Sequence, residues 1–149
     1  MDSYDKLRRY GLCINGAIDG YSRYVIWMNV TNTASDPRVV ASNFIEAGES
    51  NNWIPLKMRA DRGIENGHVQ QMHNFLSGNE NSFIYGKSTG NERIEMFWGH
   101  LRRACAQQWI EKMGMLEDEN LFSGNALDRS LVQFVFMDLL QVRINTFLH

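Results

Sequence analysis

The chain has 149 residues, a length that suits one domain and is short for two. Hydrophobic residues make up 44% and charged residues 21% of it, which is close to a globular average and argues against a disordered, collagenous or coiled-coil protein. The formal net charge is -2, so overall charge does not indicate a nucleic-acid partner, and any DNA-binding surface has to be local.

The first half of the chain predicts a strand hairpin, a helix and a further strand. Residues Gly11 to Val30 are rich in β-branched and aromatic side chains and are broken at Asp19-Gly20, a pattern typical of two antiparallel strands joined by a turn. Asp36-Pro37 has the form of an N-cap followed by a proline in the first turn, and Gly48 is a suitable stop. Trp53 to Ala60 predicts a short strand.

The second half predicts mostly helix. We expect a helix over 66–76, a loop over 78–81 and a strand over 82–85. Ser88 and Asn91 are both suitable caps for a helix that continues to Leu101, and a last helix fits Ala126 to Leu148. This alternation favours an α/β fold, in which helices pack on the faces of a mixed sheet.

Neither the cysteines nor the histidines form a recognisable metal motif. Cys13 and Cys105 are far apart and include no CxxC pair, so we expect both to be buried as small apolar side chains. The four histidines show no zinc-binding spacing. No apolar run approaches the roughly 20 residues that cross a bilayer, and the first residues lack the apolar segment of a secretory signal. We therefore expect an intracellular protein without a membrane partner.

Three acidic residues stand out by their positions. Asp61 follows a hydrophobic strand directly, and strand ends are where ligands gather in open α/β sheets. Glu95 falls in the first turns of the helix that begins near Asn91, and Asp2 precedes the hairpin. Any one of them alone would be interpreted as a solvated surface charge.

Three segments together resemble the blocks of the integrase core domain of retroviruses, retrotransposons and DDE transposases. They are DSYDKLRRYGLCINGAIDGYSRYVIW, RADRGIEN and STGNERIEMFW. Glu95 follows Asp61 by 34 positions, which fits the spacing of that family. The likeness is closest to integrase-like cores encoded in animal genomes. It implies a ribonuclease H-like α/β fold with a mixed five-stranded sheet and helices on both faces. We expect one domain over 1–149, with a helical extension over about 110–149.

The resemblance also implies an activity, which is nicking and joining of DNA strands by a two-metal polynucleotidyl transferase in the nucleus. Asp2, Asp61 and Glu95 would be the catalytic residues and the ligands of two Mg²⁺ or Mn²⁺ ions. Magnesium prefers hard oxygen ligands, and two ions can clamp the attacking and leaving oxygens of a phosphodiester. DNA is the implied partner, a homo-oligomer is possible, and we expect no small-molecule cofactor.

Two of the three acids have an alternative. Asp19 competes with Asp2, although an Asp-Gly pair is a turn signature by itself. Glu92 competes with Glu95, although its place near the cap suits a carboxylate that stabilises the helix N-terminus. Glu65 is a further candidate, either as a supporting residue or as an acid in the first turn of the next helix.

Five basic residues are candidates for binding DNA phosphates. They are Lys6, Arg8, Arg9, Arg102 and Arg103. The alternative for Arg102 and Arg103 is a solvated basic face on a helix. Trp98 and Trp109 are expected to be core residues.

The position of the first acid weakens the enzymatic interpretation. In the family this Asp lies inside a central strand, whereas here only Met1 precedes Asp2, so we expect a truncated first strand that holds Asp2 loosely. The main alternative is a non-catalytic nucleic-acid-binding remnant of a mobile element. A ribonuclease H-type hydrolase is a third hypothesis, because a fold does not fix a reaction.

Overall fold

A computed structural model describes residues 1–86 and 91–149. The described strands are β1 (Asp2–Tyr4), β2 (Cys13–Ile18), β3 (Val25–Thr31), β4 (Met58–Ala60) and β5 (Phe83–Tyr85). The helices are α1 (Pro37–Asn51), α2 (Gly67–Ser77), α3 (Glu92–Leu101), α4 (Gln107–Asp118) and α5 (Ala126–Leu148). The candidate cap Ser88 lies outside the described residues. The protein is therefore a mixed α/β structure, as the sequence predicts.

The predicted hairpin is confirmed. Strands β2 and β3 pair antiparallel, with Cys13 opposite Thr31, and the turn between them contains Asp19-Gly20. Strand β1 pairs antiparallel with the other edge of β2, which places Asp2 opposite Gly16. The order of this sheet is thus β1-β2-β3.

The single five-stranded sheet is not found among the described residues. Strands β4 and β5 pair parallel with each other and form a second sheet, with Met58 opposite Phe83. The edge of β4 meets the start of β1 where the Met1 ammonium donates a hydrogen bond to the Arg59 carbonyl at 2.7 Å. Because β1 and β4 have three residues each, this contact does not develop into a ladder.

Two of the predicted element ends are also wrong. The strand predicted from Trp53 covers only Met58–Ala60, because the Pro55 carbonyl is engaged elsewhere, with the buried ring of His73 at 2.7 Å. Helix α1 runs past Gly48 and ends at Asn51, and the next residue, Asn52, takes the left-handed conformation that closes helices. Its start agrees with the sequence, since the Asp36 side chain accepts a hydrogen bond from the Arg38 amide.

Helices pack on both faces of the sheets. Trp27 and Met28 are neighbours on β3 and point to opposite faces, and each belongs to a different hydrophobic core. The Trp27 core contains residues of α1, α2, β4 and β5. The Met28 core contains residues of β1, β2 and the helices α3 to α5. Met1 belongs to the Trp27 core and Tyr4 to the Met28 core, so the short segment that carries Asp2 contacts both cores.

The last three helices form one packing unit. Helix α3 continues into α4 through a π-helical turn at Arg102–Ala106, and such turns interrupt helices frequently at functional sites. Helix α5 buries Val132, Leu140 and Ile144 in the Met28 core. By length and composition alone, α5 is also long and apolar enough to cross a membrane, which is weak grounds for a span.

Candidate active site

Asp2 is held at the start of β1 by a tryptophan. The side chain is half-buried, and the Trp98 indole N–H donates a hydrogen bond to its Oδ2 at 2.9 Å. Burial raises the pKa of the Asp2 carboxyl, the charge of Asp61 raises it further, and the hydrogen bonds from Trp98 and the Ser3 amide oppose this. Asp2 is thus a fixed carboxylate whose charge is poorly solvated.

Asp61 comes directly after β4, at the strand end that the sequence predicts. The buried amide of Asn66 donates to its Oδ1 at 3.2 Å and to its backbone carbonyl at 3.4 Å. The same amide lies 3.1 Å from Oε1 of Glu65. Asn66 therefore orients two of the acids in the block from Asp61 to Asn66.

The structure brings Asp2 and Asp61 together. Their carboxylates interact electrostatically with each other and with the Met1 ammonium. Burial lowers the pKa of that ammonium to about 6, although both carboxylates favour its charge. Two half-buried acids from separate sheets therefore lie near enough for their charges to interact, and the atoms that each could offer to a cation are oxygens.

Glu95 does not join them in a group of three. Its side chain is exposed in the first turn of α3, and the described residues contain no cluster of three His, Cys, Asp or Glu side chains able to hold a metal. Glu95 precedes Trp98 by three positions, however, so both lie on one face of the helix. Because Trp98 contacts Asp2, this face is the one directed toward the acid pair.

The two alternative acids, Asp19 and Glu92, lie in different environments from Asp2 and Glu95. The Asp19 carboxylate accepts hydrogen bonds from the Ser22 amide and hydroxyl, both at 2.6 Å, and from the Tyr21 amide at 3.3 Å. These bonds lower the pKa of Asp19 and close the turn between β2 and β3. Glu92 is exposed at the first position of α3.

All five candidate DNA-binding residues are exposed. Lys6, Arg8 and Arg9 follow β1, and Arg102 and Arg103 occupy the π-helical turn. Arg9 forms an ion pair with Glu117 at 2.5 Å, and Arg102 donates to Gln107 at 2.9 Å.

The two basic groups approach each other near the end of β1. Arg102 interacts electrostatically with Tyr4, the last residue of that strand, and Lys6 follows Tyr4 by two positions. Arg102 therefore lies near the end of the strand that carries Asp2, together with exposed Lys6 and the exposed acid Asp5.

Sequence reasoning missed two residues of the site. Trp98 was predicted only as a core residue; it is buried, with 7% exposed, but it also binds Asp2. Asn66 had no predicted role, yet it binds Asp61. The spacing of three between Glu95 and Trp98 could have indicated the first of these, since it places both on one helical face.

The donor set fits a hard divalent cation. Asp2 and Asp61 offer carboxylate oxygens, the ligands that Mg²⁺ and Mn²⁺ prefer, and their mutual repulsion would fall when a cation binds. These two carboxylates alone would be ligands in the described residues, because Glu95 does not form a group of three with them.

The fold is thus α/β, with two carboxylates whose charges interact and with exposed basic residues after the first strand. The model of the integrase core domain family matches residues 1–149, so the chain belongs to this family. The family acts in DNA integration by polynucleotidyl transfer and generally uses divalent metal ions. Searches of curated proteins and of solved structures found no match. The likeness to cores from animal genomes remains a prediction.

Proposed function

We propose that the chain is the catalytic core of a DNA integrase that nicks one strand and joins the resulting end to another. The observation that supports this proposal is that Asp2 and Asp61, which come from separate sheets and are each half-buried, lie near enough for their charges to interact. Holding two like charges together costs free energy. Such an arrangement is useful to a protein that binds a cation between them.

The proposed reaction has two displacements at phosphorus. In nicking, a water oxygen bonds to phosphorus and the bond to a 3′ oxygen breaks, which leaves a 3′-hydroxyl. In joining, that hydroxyl attacks a phosphodiester of the second strand, and the 3′ oxygen of that strand leaves. Phosphoryl transfer of this kind depends mainly on positioning and on neutralising charge.

The residues of the chain would divide the work. Asp2, Asp61 and Glu95 would hold two Mg²⁺ or Mn²⁺ ions, which when bound neutralise charge on the attacking and leaving oxygens. Trp98 and Asn66 position Asp2 and Asp61 through the hydrogen bonds at 2.9 Å and 3.2 Å. The exposed basic residues near the end of β1 would bind the DNA backbone and keep it in register.

An end-labelled DNA duplex provides the test. We expect the 149-residue chain to cut it with Mn²⁺ or Mg²⁺ and not with EDTA. Asp61→Asn removes a ligand charge and keeps the shape. It should therefore reduce cleavage by more than the roughly 10–100-fold that loss of a supporting residue costs. Asp5→Asn, an exposed acid near Asp2, is the matched control and should cut like the parent. Equal cleavage by Asp61→Asn and the parent would refute the carboxylate assignment.

The second candidate function is a non-catalytic DNA-binding module. The exposure of Glu95 favours it, since no third acid joins the pair among the described residues. This candidate predicts that the chain binds DNA and that no metal-dependent cleavage occurs. Binding without cleavage in the assay above would replace the enzymatic proposal.

A further inference from the structure

A polar groove lies beside the first turns of α5. It is bounded by that helix, by the short 3-10 helix Arg8–Tyr10 and by the segment that follows β3. Its volume is about 310 Å³, and it is open to solvent. The residues that line it include Arg8, Gly11, Asn32, Thr33, Arg129 and Gln133. Segments that are far apart in the sequence therefore meet around one space.

The groove holds two arginines and no acid among its described lining residues. Arg8 and Arg129 are both exposed, and neither guanidinium forms a hydrogen bond or an ion pair with another described residue. Asp128, in the first turn of α5, does not line the groove; it accepts from the Ser123 amide and hydroxyl, both at 2.6 Å. Two positive charges without a counter-ion therefore line one space.

A glycine allows α5 to approach closely enough to form the groove. Gly11 has a φ of 82°, a left-handed conformation that suits glycine, and its carbonyl accepts from the Gln133 amide at 2.9 Å. A Cβ on Gly11 would lie 2.7 Å from Nε2 of Gln133 and 3.3 Å from Cβ of Arg129. This close contact fixes where Arg129 lies relative to the short helix that carries Arg8.

Neutral polar groups add to the two charges. Asn32 is exposed directly after β3, and its side chain has no hydrogen bond to another described residue. The Thr33 hydroxyl accepts from the Ser35 amide at 3.1 Å, and this bond does not use its proton. Guanidinium, amide and hydroxyl groups are the donors with which proteins hold phosphate.

The groove is separate from the acid pair. Asp2 lies opposite Gly16 in the sheet, and Gly11 comes five positions before Gly16. At about 3.3 Å per residue, the two places are on the order of 15 Å apart along β2. A phosphate in the groove would therefore not be the phosphate that reacts.

We propose that this groove is a phosphate-binding site in which Arg8 and Arg129 hold one phosphate group between them. Free phosphate and the phosphate of a DNA backbone present the same anionic oxygens, so both are sources of this ligand. A tetrahedral phosphate directs its oxygens to several sides and can bind two guanidiniums at once, whereas a carboxylate offers two oxygens in one plane. The site does not depend on the proposed catalysis.

Arginine side-chain NMR tests the site directly. We expect inorganic phosphate, titrated at constant ionic strength, to shift the Nε–Hε signals of Arg8 and Arg129 together until they saturate. Arg143, an exposed arginine further along α5, should show no saturating shift. A short single-stranded DNA identifies the source: if only DNA shifts the two signals, the site takes a backbone phosphate. No saturating shift with either probe would overturn the proposal, and so would acetate that binds as tightly as phosphate.

Substitutions assign the binding to the two arginines. Arg8→Ala and Arg129→Ala should each weaken binding of the probe about tenfold, the effect of losing one hydrogen bond to a charged group. Arg143→Ala is the matched control on α5 and should bind like the parent. Cleavage of DNA is scored separately, so a chain that binds phosphate here and does not cut DNA keeps the site. Unchanged phosphate binding in Arg129→Ala would overturn it, whether or not the chain cuts DNA.

Discussion

At Asp2, folding favours the neutral carboxyl, whereas the proposed metal binding requires the charged carboxylate. Burial raises its pKa above the ordinary value of 3.8, so the unfolded chain releases this proton at a lower pH than the folded chain does. Stability from this residue is therefore present at acid pH and is lost as the pH rises through the raised pKa.

A substitution makes this conflict measurable. Asp2→Asn removes the charge and keeps an oxygen that can accept from Trp98. We expect it to raise the melting temperature at pH 7 by roughly 2–4 °C, the shift that about 1 kcal/mol produces in a domain of this size. At pH 3 the two proteins should melt together. Thermal unfolding at both pH values, with Asp5→Asn as control, checks this; a parent that is more stable than Asp2→Asn at pH 7 would contradict it.

Trp98 offers a second test at the scale of one residue. Trp98→Phe keeps a buried ring and removes the N–H that donates to Asp2 at 2.9 Å. We expect metal-dependent cleavage to fall about 10–100-fold, as it does when a supporting hydrogen bond to a metal ligand is lost. The metal concentration for half-maximal activity should rise as well.

A second tryptophan serves as the control for this substitution. Trp109→Phe alters another buried tryptophan, on α4, which packs against Phe136. Its effect on stability should be similar, and its metal requirement should equal that of the parent. Equal metal requirements for the two variants would mean that Trp98 acts only through packing.

At the scale of elements, a buried asparagine connects three strands and a helix. The Asn15 oxygen on β2 accepts from the Trp27 indole at 2.8 Å and from the Asn43 amide of α1 at 3.1 Å. Its own amide donates to the Ser3 hydroxyl of β1 at 3.0 Å. The three-residue strand β1 thus has a side-chain connection in addition to its short ladder.

Asn15→Ala should destabilise the protein strongly. It leaves the buried donors of Trp27 and Asn43 without their acceptor, and each unsatisfied buried group costs about 1–3 kcal/mol. We expect the free energy of unfolding in urea to fall by about 2–4 kcal/mol. Asn32→Ala, at an exposed position directly after β3, should change it by less than about 0.5 kcal/mol. A loss below 1 kcal/mol for Asn15→Ala would show that the network contributes little.

At the scale of the whole molecule, the distribution of charge decides how DNA binding depends on salt. The chain has a net charge of -2, so the proposed attraction to DNA would have to come from exposed basic residues such as Lys6, Arg8 and Arg102. Each phosphate contact adds about 0.9 to the slope of log affinity against log salt.

Substitutions of two neighbouring arginines test whether DNA binds at these residues or responds only to the overall charge of the chain. Arg8→Ala should reduce the salt slope by about 0.9 because it removes one phosphate contact. Arg9→Ala should reduce it less, since Arg9 already holds Glu117 at 2.5 Å. Binding to a fluorescent duplex over a range of salt concentrations measures both slopes. Equal slopes for both variants and the parent would place the DNA surface elsewhere.

The sequence alone determined several of the turns and helix or strand ends, and the family. The turn at Asp19-Gly20, the Asp36-Pro37 cap and the strand end at Asp61 depend on local backbone preferences, which neighbouring residues carry, and each is found in the structure. The three motif blocks, read together, gave the integrase core family that the match over residues 1–149 shows.

The tertiary structure decided what depends on contacts between distant residues. The strands β1 and β4 have three residues each and approach each other where Met1 contacts Arg59, 58 positions away. They form no ladder there, so the two sheets remain separate. The hydrogen bond from Trp98 to Asp2 spans 96 positions, and the exposure of Glu95 depends on how α3 packs. No local pattern contains this information, because a side chain's spacing predicts its face on a helix and not the residue that the face meets.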